Sequence, residues 1–539
     1  MKGNRLSRRN FIGLSLGAAA GTLLVGCGQQ SPVATEAPVE ETSLVAEATQ
    51  DVSLTNLEQI ERLSESKVNV TGWHPRLWTE LPGIETLSDQ VFDQKMEEIT
   101  NVHIDWTSEA GGGAAFDAIM AGGDLPDCFA LGANINTMTS YGVKGAFIPL
   151  TDYIDANPYL SGRLAQNPLW RASITAPDGN IYFFPRLLEG SAKVFNGLNV
   201  RQDWLDEVGM EPPTTTDELY EVAKAFKAQD ASRYPITFGY HGPWIIWQFG
   251  VHNNFVHDGD TVIYGPLKDG YREALAYSNR LFSEELIEPY WQNVTPEQQV
   301  ELQTTPLAGL AIFNQDNIAY YKKTAPDVPW VPIPMVKGPY GHHQNFENYS
   351  DADRYSGNVI TSSSTQQDLL ARYCDLYFSD SGSTLMYYGV YGDTYTEENG
   401  KKVWTDKVLE SGVSVNAYAY SGIGPNYFGA CYLPDQTWID LNPGILGEAV
   451  RIWADNDPPA YTQSQLPDFI LTEEEYEIVQ TTMADIKTLV SEYYAKAILG
   501  EMNIEDDYVA LADQIRTMGI NEATAAYQSG YDRYLDLSK

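Results

Sequence analysis

The sequence predicts an α/β fold, and three observations carry that reading. Apolar residues make up 43% of the 539 residues, enough to build substantial cores. Between Val68 and Leu131, short β-type runs alternate with helix-period segments, the rhythm of βαβ units and a parallel sheet. No fixed-period repeat runs along the chain, which excludes a solenoid. At about 150 residues per domain, the length allows three to four domains or two large lobes.

The elements are justified in chain order. Residues 1–26 begin with a basic stretch holding Lys2, Arg5, Arg8 and Arg9 and continue into a small, apolar run to Gly26, the parts of an export signal. The run from Phe11 falls short of the about 20 residues a membrane span needs. Arg8-Arg9 before Asn10-Phe11 resembles the twin-arginine signature, with general secretory export as the alternative. Leu24-Val25-Gly26-Cys27 resembles a lipobox, in which the Cys27 thiol receives the lipid and the chain is cut before it. Residues 27–65 are expected to be a disordered tether, since Gln29 to Asp51 is rich in Ser, Pro, Thr, Ala and Glu without apolar period.

The globular part opens with a strand at Val68–Gly72. A helix over Leu87–Thr100, with Val91, Met96 and Ile99 on one face, and a strand at Val102–Trp106 follow. Ala114–Ala121 reads as a small helix ended by Gly122-Gly123, and Asp127–Leu131 as a third strand. Further strands are expected at Ile181–Phe184 and Val194–Leu198. Helices are expected from Thr214 to Ala228, with Thr215 or Thr216 as N-cap, and at Tyr271–Glu284, Gln366–Ser379, Thr472–Ile498 and Ile504–Thr517.

Charge excludes more than it identifies. The chain carries 34 Lys+Arg against 73 Asp+Glu. Removing residues 1–26 takes away four bases and no acid, moving the net charge from −39 to −43. Such a surface is repelled by phosphate backbones and anionic lipids, so nucleic acid is excluded as a partner. After Cys27, only Cys128, Cys374 and Cys431 remain; they allow at most one bridge and make no metal spacing with the scattered histidines. No metal or cofactor is expected. No GxxxxGK[ST], GxSxG or HExxH pattern occurs.

Several segments in order give a family resemblance. These are Ala121-Gly122-Gly123-Asp124-Leu125-Pro126-Asp127, the stretch Gly142–Leu150 with Asp152 and Asp155, Asp178-Gly179-Asn180-Ile181-Tyr182 to Pro185, and Val200–Gly209 with its Arg201-Gln202-Asp203-Trp204-Leu205 core. Tyr388–Tyr395 and Tyr531-Asp532-Arg533-Tyr534 fit the C-terminal half. In this order they resemble the extracellular solute-binding lipoproteins of ATP-driven (ABC) sugar importers, over residues 66 to 539. The resemblance implies a two-lobed periplasmic-binding-protein-like fold of type II, with a ligand cleft between lobes. It places residues 66–185 plus about 360–440 in one lobe and 190–355 plus about 445–539 in the other, with crossings at Phe184–Gly190 and near Tyr355–Ile360. It also implies an oligosaccharide ligand, membrane permease subunits as partners, action as a monomer, and no catalysis. One departure concerns calcium. Where long members carry an acidic loop, Gln229–Pro235 holds the single carboxylate Asp230, so no calcium is expected there.

Sugar sites combine aromatic faces with a few well-placed hydroxyl-binding groups. The aromatic-rich run Tyr240–Trp247 makes Trp244 and Trp247 candidates. Trp73 ends the first strand, with His74 and Arg76 after it, and Asn134 and Asn136 follow the third. Arg186 and Glu189 lie on the first crossing, and Asn314 and Asp316 follow the apolar run Leu307–Phe313. For each aromatic the competing role is core packing; for the polar residues it is a turn, a cap or a hinge salt bridge. Asp124 and Asp127 read as structural. The alternatives in function are a secreted carbohydrate-active enzyme, or the same binding fold with a peptide or another oligomer as ligand.

Overall fold

Two polypeptide strands that run side by side organise the molecule. The computed structural model describes residues 57–75, 81–109, 113–239, 242, 244–343, 345, 352–424, 429–454 and 465–539. The expected signal segment, Cys27 and Arg76 lie outside them.

Among the described residues there are thirteen strands: β1 (Val68–Pro75), β2 (Val102–Glu109), β3 (Cys128–Leu131), β4 (Phe184–Leu188), β5 (Asn196–Arg201), β6 (Phe255–Asp258), β7 (Thr261–Tyr264), β8 (Leu310–Asn314), β9 (Trp330–Pro332), β10 (Ala352–Ile360), β11 (Tyr395–Glu398), β12 (Lys401–Trp404) and β13 (Cys431–Leu433). Six of them make one sheet in the order β13-β4-β10-β3-β1-β2, and β8-β5-β9 make a second. β1 pairs in parallel with β2 and β3, as the alternating pattern predicts. The antiparallel partner β10 then joins β3 to β4.

Local chemistry explains these elements. The helix Val91–Thr100 buries Phe92, Met96 and Thr100, one residue round from the expected Val91 and Ile99 face. A short 3₁₀ turn, Leu87–Asp89, precedes it and resets the phase. The helix Gly113–Gly122 ends where Gly123 takes φ +76°, a conformation that favours glycine. Asp127 then ties the start of β3 to β1, its Oδ2 accepting the Thr71 amide at 2.8 Å and the Thr71 hydroxyl at 2.9 Å. In the Gly142–Leu150 stretch, a Cβ at Gly142 would lie 2.3 Å from the Tyr182 ring, so close helix packing requires glycine there.

Two expected strands are displaced. Ile181–Phe183 is buried but outside any strand, Ile181 bonding instead to Leu150 and Thr151, and strand pairing begins at Phe184. Pro185 opposes Gly357 of β10, whereas the β13 pairing starts only at Arg186, so its missing N–H leaves no gap on that side. The run from Val194 pairs from Asn196 onward. Thr215 caps the helix Thr216–Gln229 by accepting from the Glu218 amide, and Thr472 forms a capping box with Glu475 at the head of Glu473–Leu499.

The expectation of a tether reaching residue 65 is corrected. Leu57, Ile60 and Leu63, spaced on one side of the segment, are buried in the body, and Asn101 donates to the carbonyls of Ser64 and Glu65. Apolar side chains at that spacing gain more from burial than the tether loses in freedom.

Buried apolar residues gather into two principal cores. The first joins residues from Leu57 to Ala192 with Ala352 to Val450. The second joins Leu198 to Val336 with Phe469 to Tyr534, and a smaller cluster surrounds Phe313, Trp330 and Trp453. β4 leads the chain out of the first core, and β10 leads it back. A third connection runs through Gln465–Leu471. There Ile470 packs in the first core, while its neighbours Phe469 and Leu471 pack in the second.

Candidate functional site between the two cores

A cavity of about 270 Å³ opens where residues of the two cores face each other. On the first-core side its wall is made by Asn134, Ile135 and Asn136, which follow the carboxyl end of β3, and by Tyr355 from β10. Ligand sites on parallel sheets sit at this end of the strands. On the second-core side are His252, Asn254 and Phe255, with Tyr476 and Gln480 from Glu473–Leu499 and Tyr527 from the helix Ile520–Leu537. The segment Gln465–Leu471 closes one flank. Tyr476 and Gln480 are one helical turn apart, so both reach the same wall.

The lining is amide-rich and aromatic. Phe255 and Tyr527 pack with ring centroids 4.3 Å apart. Asp468 is the one carboxylate among the described lining residues, with Lys487 as the one lysine and His252 as the one histidine. Such a surface offers two-way hydrogen bonding and apolar ring faces with little net charge.

Asn134 and Asn136 are the two expected site residues that the structure brings to this cavity, and both also hold the wall together. The Asn134 side chain caps the helix Ile135–Val143 by accepting from the Asn136 amide at 2.9 Å. Asn136 Oδ1 accepts the Leu471 amide at 2.9 Å, joining the β3 end to the Gln465–Leu471 segment.

The other expected residues that the structure describes do not line it. Trp73 is core, with Phe129 edge-on at 5.9 Å. His74 is fully buried, its Nδ1 2.6 Å from the Pro75 carbonyl, and burial pushes its pKa down to about 4. Trp244 is packed in the second core with its indole N–H donating to the Thr237 carbonyl at 3.1 Å. Trp247 is buried as well, one layer behind the cavity, with its ring 6.4 Å from that of His252. Within the aromatic-rich run Tyr240–Trp247, expected as a loop at a strand end, the part from Trp244 opens a buried 3₁₀ segment, Trp244–Phe249, because five large apolar side chains there serve the second core better than a solvent-facing wall.

Arg186 takes the competing role of a buried ion pair. Its Nη1 donates to Asp353 Oδ2 at 3.2 Å and its Nη2 to the Tyr420 hydroxyl at 3.1 Å. Burial works against its charge, but Tyr420, Cys431 and Asp353 outweigh it and hold the guanidinium pKa well above its ordinary value. Glu189 accepts from the Tyr432 hydroxyl at 2.8 Å. Asn314 is the N-cap of the helix Gln315–Thr324, and Asp316 accepts from Asn416 Nδ2 at 3.4 Å. Asp230 accepts from the amide and hydroxyl of Ser232. Cys128, Cys374 and Cys431 are buried free thiols.

Sequence reasoning missed Tyr355, Asn254, Tyr476, Tyr527 and the Gln465–Leu471 segment. One signal was available: Gln465-Leu466-Pro467-Asp468-Phe469-Ile470-Leu471 is a short apolar run set directly before the Thr472 capping box.

Two cores joined by several crossing segments, with a polar and aromatic cavity between them, define a two-lobed binding protein. The chain belongs to the bacterial extracellular solute-binding protein family, whose model matches residues 82–372, just over half of its length. It is similar to the fructooligosaccharide ABC transporter substrate-binding protein FusA of Streptococcus pneumoniae serotype 4, at 24% identity over 493 residues, covering 83% of this chain and 87% of that protein. The alginate-binding protein AlgQ2, in a calcium-free crystal structure, has the same fold, with a TM-score of 0.69 at 22% identity over 87% of this chain and 99% of that one. So has a human-milk-oligosaccharide (HMO) binding protein of an ABC transporter from Bifidobacterium longum infantis, with a TM-score of 0.70 at 19% identity over 87% and 99% of the two chains. Among the described residues, no helix is long and apolar enough to cross a membrane.

Proposed function

We propose that this chain is a lipid-anchored binding protein that captures an oligosaccharide in the cavity between its two lobes and delivers it to the membrane permease of an ABC importer. The observation that carries the reading is the cavity itself: amides and tyrosines from both cores converge on it, and one carboxylate lines it among the described residues. That lining suits a sugar, whose ring faces are apolar and whose hydroxyls both donate and accept. Glycoside hydrolysis needs two opposed carboxylates, so the lining favours binding over catalysis. The names of FusA and of the HMO-binding neighbour support the same ligand class. Cys27 is the proposed lipid attachment site, with a monomeric body held outside the cell by residues beyond it. The permease supplies the ATP-driven step, and the lobes are proposed to meet along β4 and β10.

The test is incubation with an oligosaccharide panel, following melting temperature and product release. Stabilisation without turnover is the expected result. Turnover by the pure protein would end the reading.

A further inference from the structure

β10 is irregular where it passes the cavity. Its pairing with β4 runs Ala352↔Leu187 and then resumes at Gly357↔Pro185, so residues 353–356 form a bulge. Bulges re-aim side chains and are common beside functional sites. Here the bulge carries Tyr355, which lines the cavity and is 52% exposed although large and aromatic. Its flanks Asp353 and Ser356 are buried.

The bulge has its own brace. Asp353 Oδ1 accepts the Tyr355 amide at 3.0 Å, and Asp353 Oδ2 accepts the Ser356 hydroxyl at 2.9 Å. The same Oδ2 takes Arg186 Nη1 from β4 at 3.2 Å, in a pair whose side chains are 4% and 3% exposed. A buried ion pair is costly to desolvate and stabilises little by itself, so its use at this point calls for a structural purpose. Bracing a backbone whose pairing with β4 is interrupted supplies one.

We infer that Tyr355 is the ring-stacking platform for the bound oligosaccharide and that the Arg186–Asp353 pair positions it through the bulge. This rests on the proposed sugar-binding function and adds the residue that fixes the sugar ring. Arg186 thereby bears on the site without touching ligand: it acts through Asp353.

The experiment measures affinity by titration calorimetry on the full-length protein, with kestose, nystose, maltotetraose and xylotetraose as probes. Tyr355→Ala is expected to weaken binding about tenfold or more, and Tyr355→Phe to stay within about threefold of wild type, because the ring face is kept. Asp353→Asn is expected to weaken binding in the wild-type background and to add no more than about twofold in the Tyr355→Ala background, since its effect runs through the ring. Should Asp353→Asn not fold, Ser356→Ala replaces it in the same cycle. Wild-type binding with an unaffected Tyr355→Ala would overturn the platform and leave the sugar reading standing. Equal losses from the Asp353 or Ser356 variant in both backgrounds would overturn the positioning role. A wild-type protein that binds none of the probes would overturn the sugar reading, and this inference with it.

Discussion

His74 shows how burial alone sets the chemistry of a side chain. Its Nδ1 meets the Pro75 carbonyl and its Nε2 has no partner, so protonation would place an unmatched N–H in the first core. Its pKa is about 4 in the fold, against about 6.5 in the unfolded chain. A base with a depressed pKa is matched to the fold above the unfolded value. As pH falls from 6.5 to 4, only the unfolded chain takes up this proton, so stability is lost across that window, by up to about 3 kcal/mol. Urea denaturation of wild type and His74→Phe between pH 7 and pH 4 checks this: the variant should show a flatter decline. Trp244 belongs at the same scale. It is fully buried, so Trp244→Ala should cost about 3–5 kcal/mol of stability, read as a lower urea midpoint. Both residues were legible as conspicuous in sequence, but sequence carries no depth. An aromatic run with Gly and Pro reads equally as cavity wall or as core, and the packing of the second core decided it.

At the scale of elements, the chain announced its helices better than its strand ends. Thr215 and Thr472 are side-chain caps, a local signal that needs no tertiary context; Thr215 is one of the two caps expected there, while Thr472, expected as the first helical residue, stands one place before the helix as its cap. The Thr472 capping box is reinforced by Arg533, whose Nη1 donates to Glu475 Oε1 at 2.8 Å and so ties the helix head to the last helix. Thr472→Ala should therefore cost about 1 kcal/mol, with the loss visible as faster amide exchange in the first turn of Glu473–Leu499. Strand limits were less legible because pairing partners set them. Ile181–Phe183 has strand composition but stays outside any strand, while Pro185 is inside β4 because its neighbour β13 starts one residue later. The β10 bulge left no trace in composition. It exists because β4 and β10 pair on either side of an offset, a relation between segments more than 150 residues apart.

At the scale of the whole molecule, the fold class and the succession of β1, β2 and β3 follow from periodicity, whereas the cavity depends on which distant segments meet. Asn134 and Asn136 could be found because they follow a strand in a parallel sheet, where position alone points to ligand. Asn254, Tyr355 and Tyr527 reach the same cavity from three other parts of the chain, and no local signal links them. Asn136 then occupies a particular place, since it lines the cavity and also accepts the Leu471 amide. Leu471 packs in the second core, so this hydrogen bond couples the first-core wall to the opposite side. A ligand that prefers the closed arrangement gains from every contact already drawing the walls together, and loses when one is removed. A hydrogen bond of this kind contributes about 1 kcal/mol net. Asn136→Ala should therefore weaken oligosaccharide binding about fivefold, with the ligand-free melting temperature lowered by only a few degrees. Small-angle scattering supplies the second readout: at saturating ligand the variant should reach the wild-type radius of gyration, but at a higher ligand concentration. A variant that binds as wild type would show that Asn136 merely builds the β3 end and has no part in holding the two walls together.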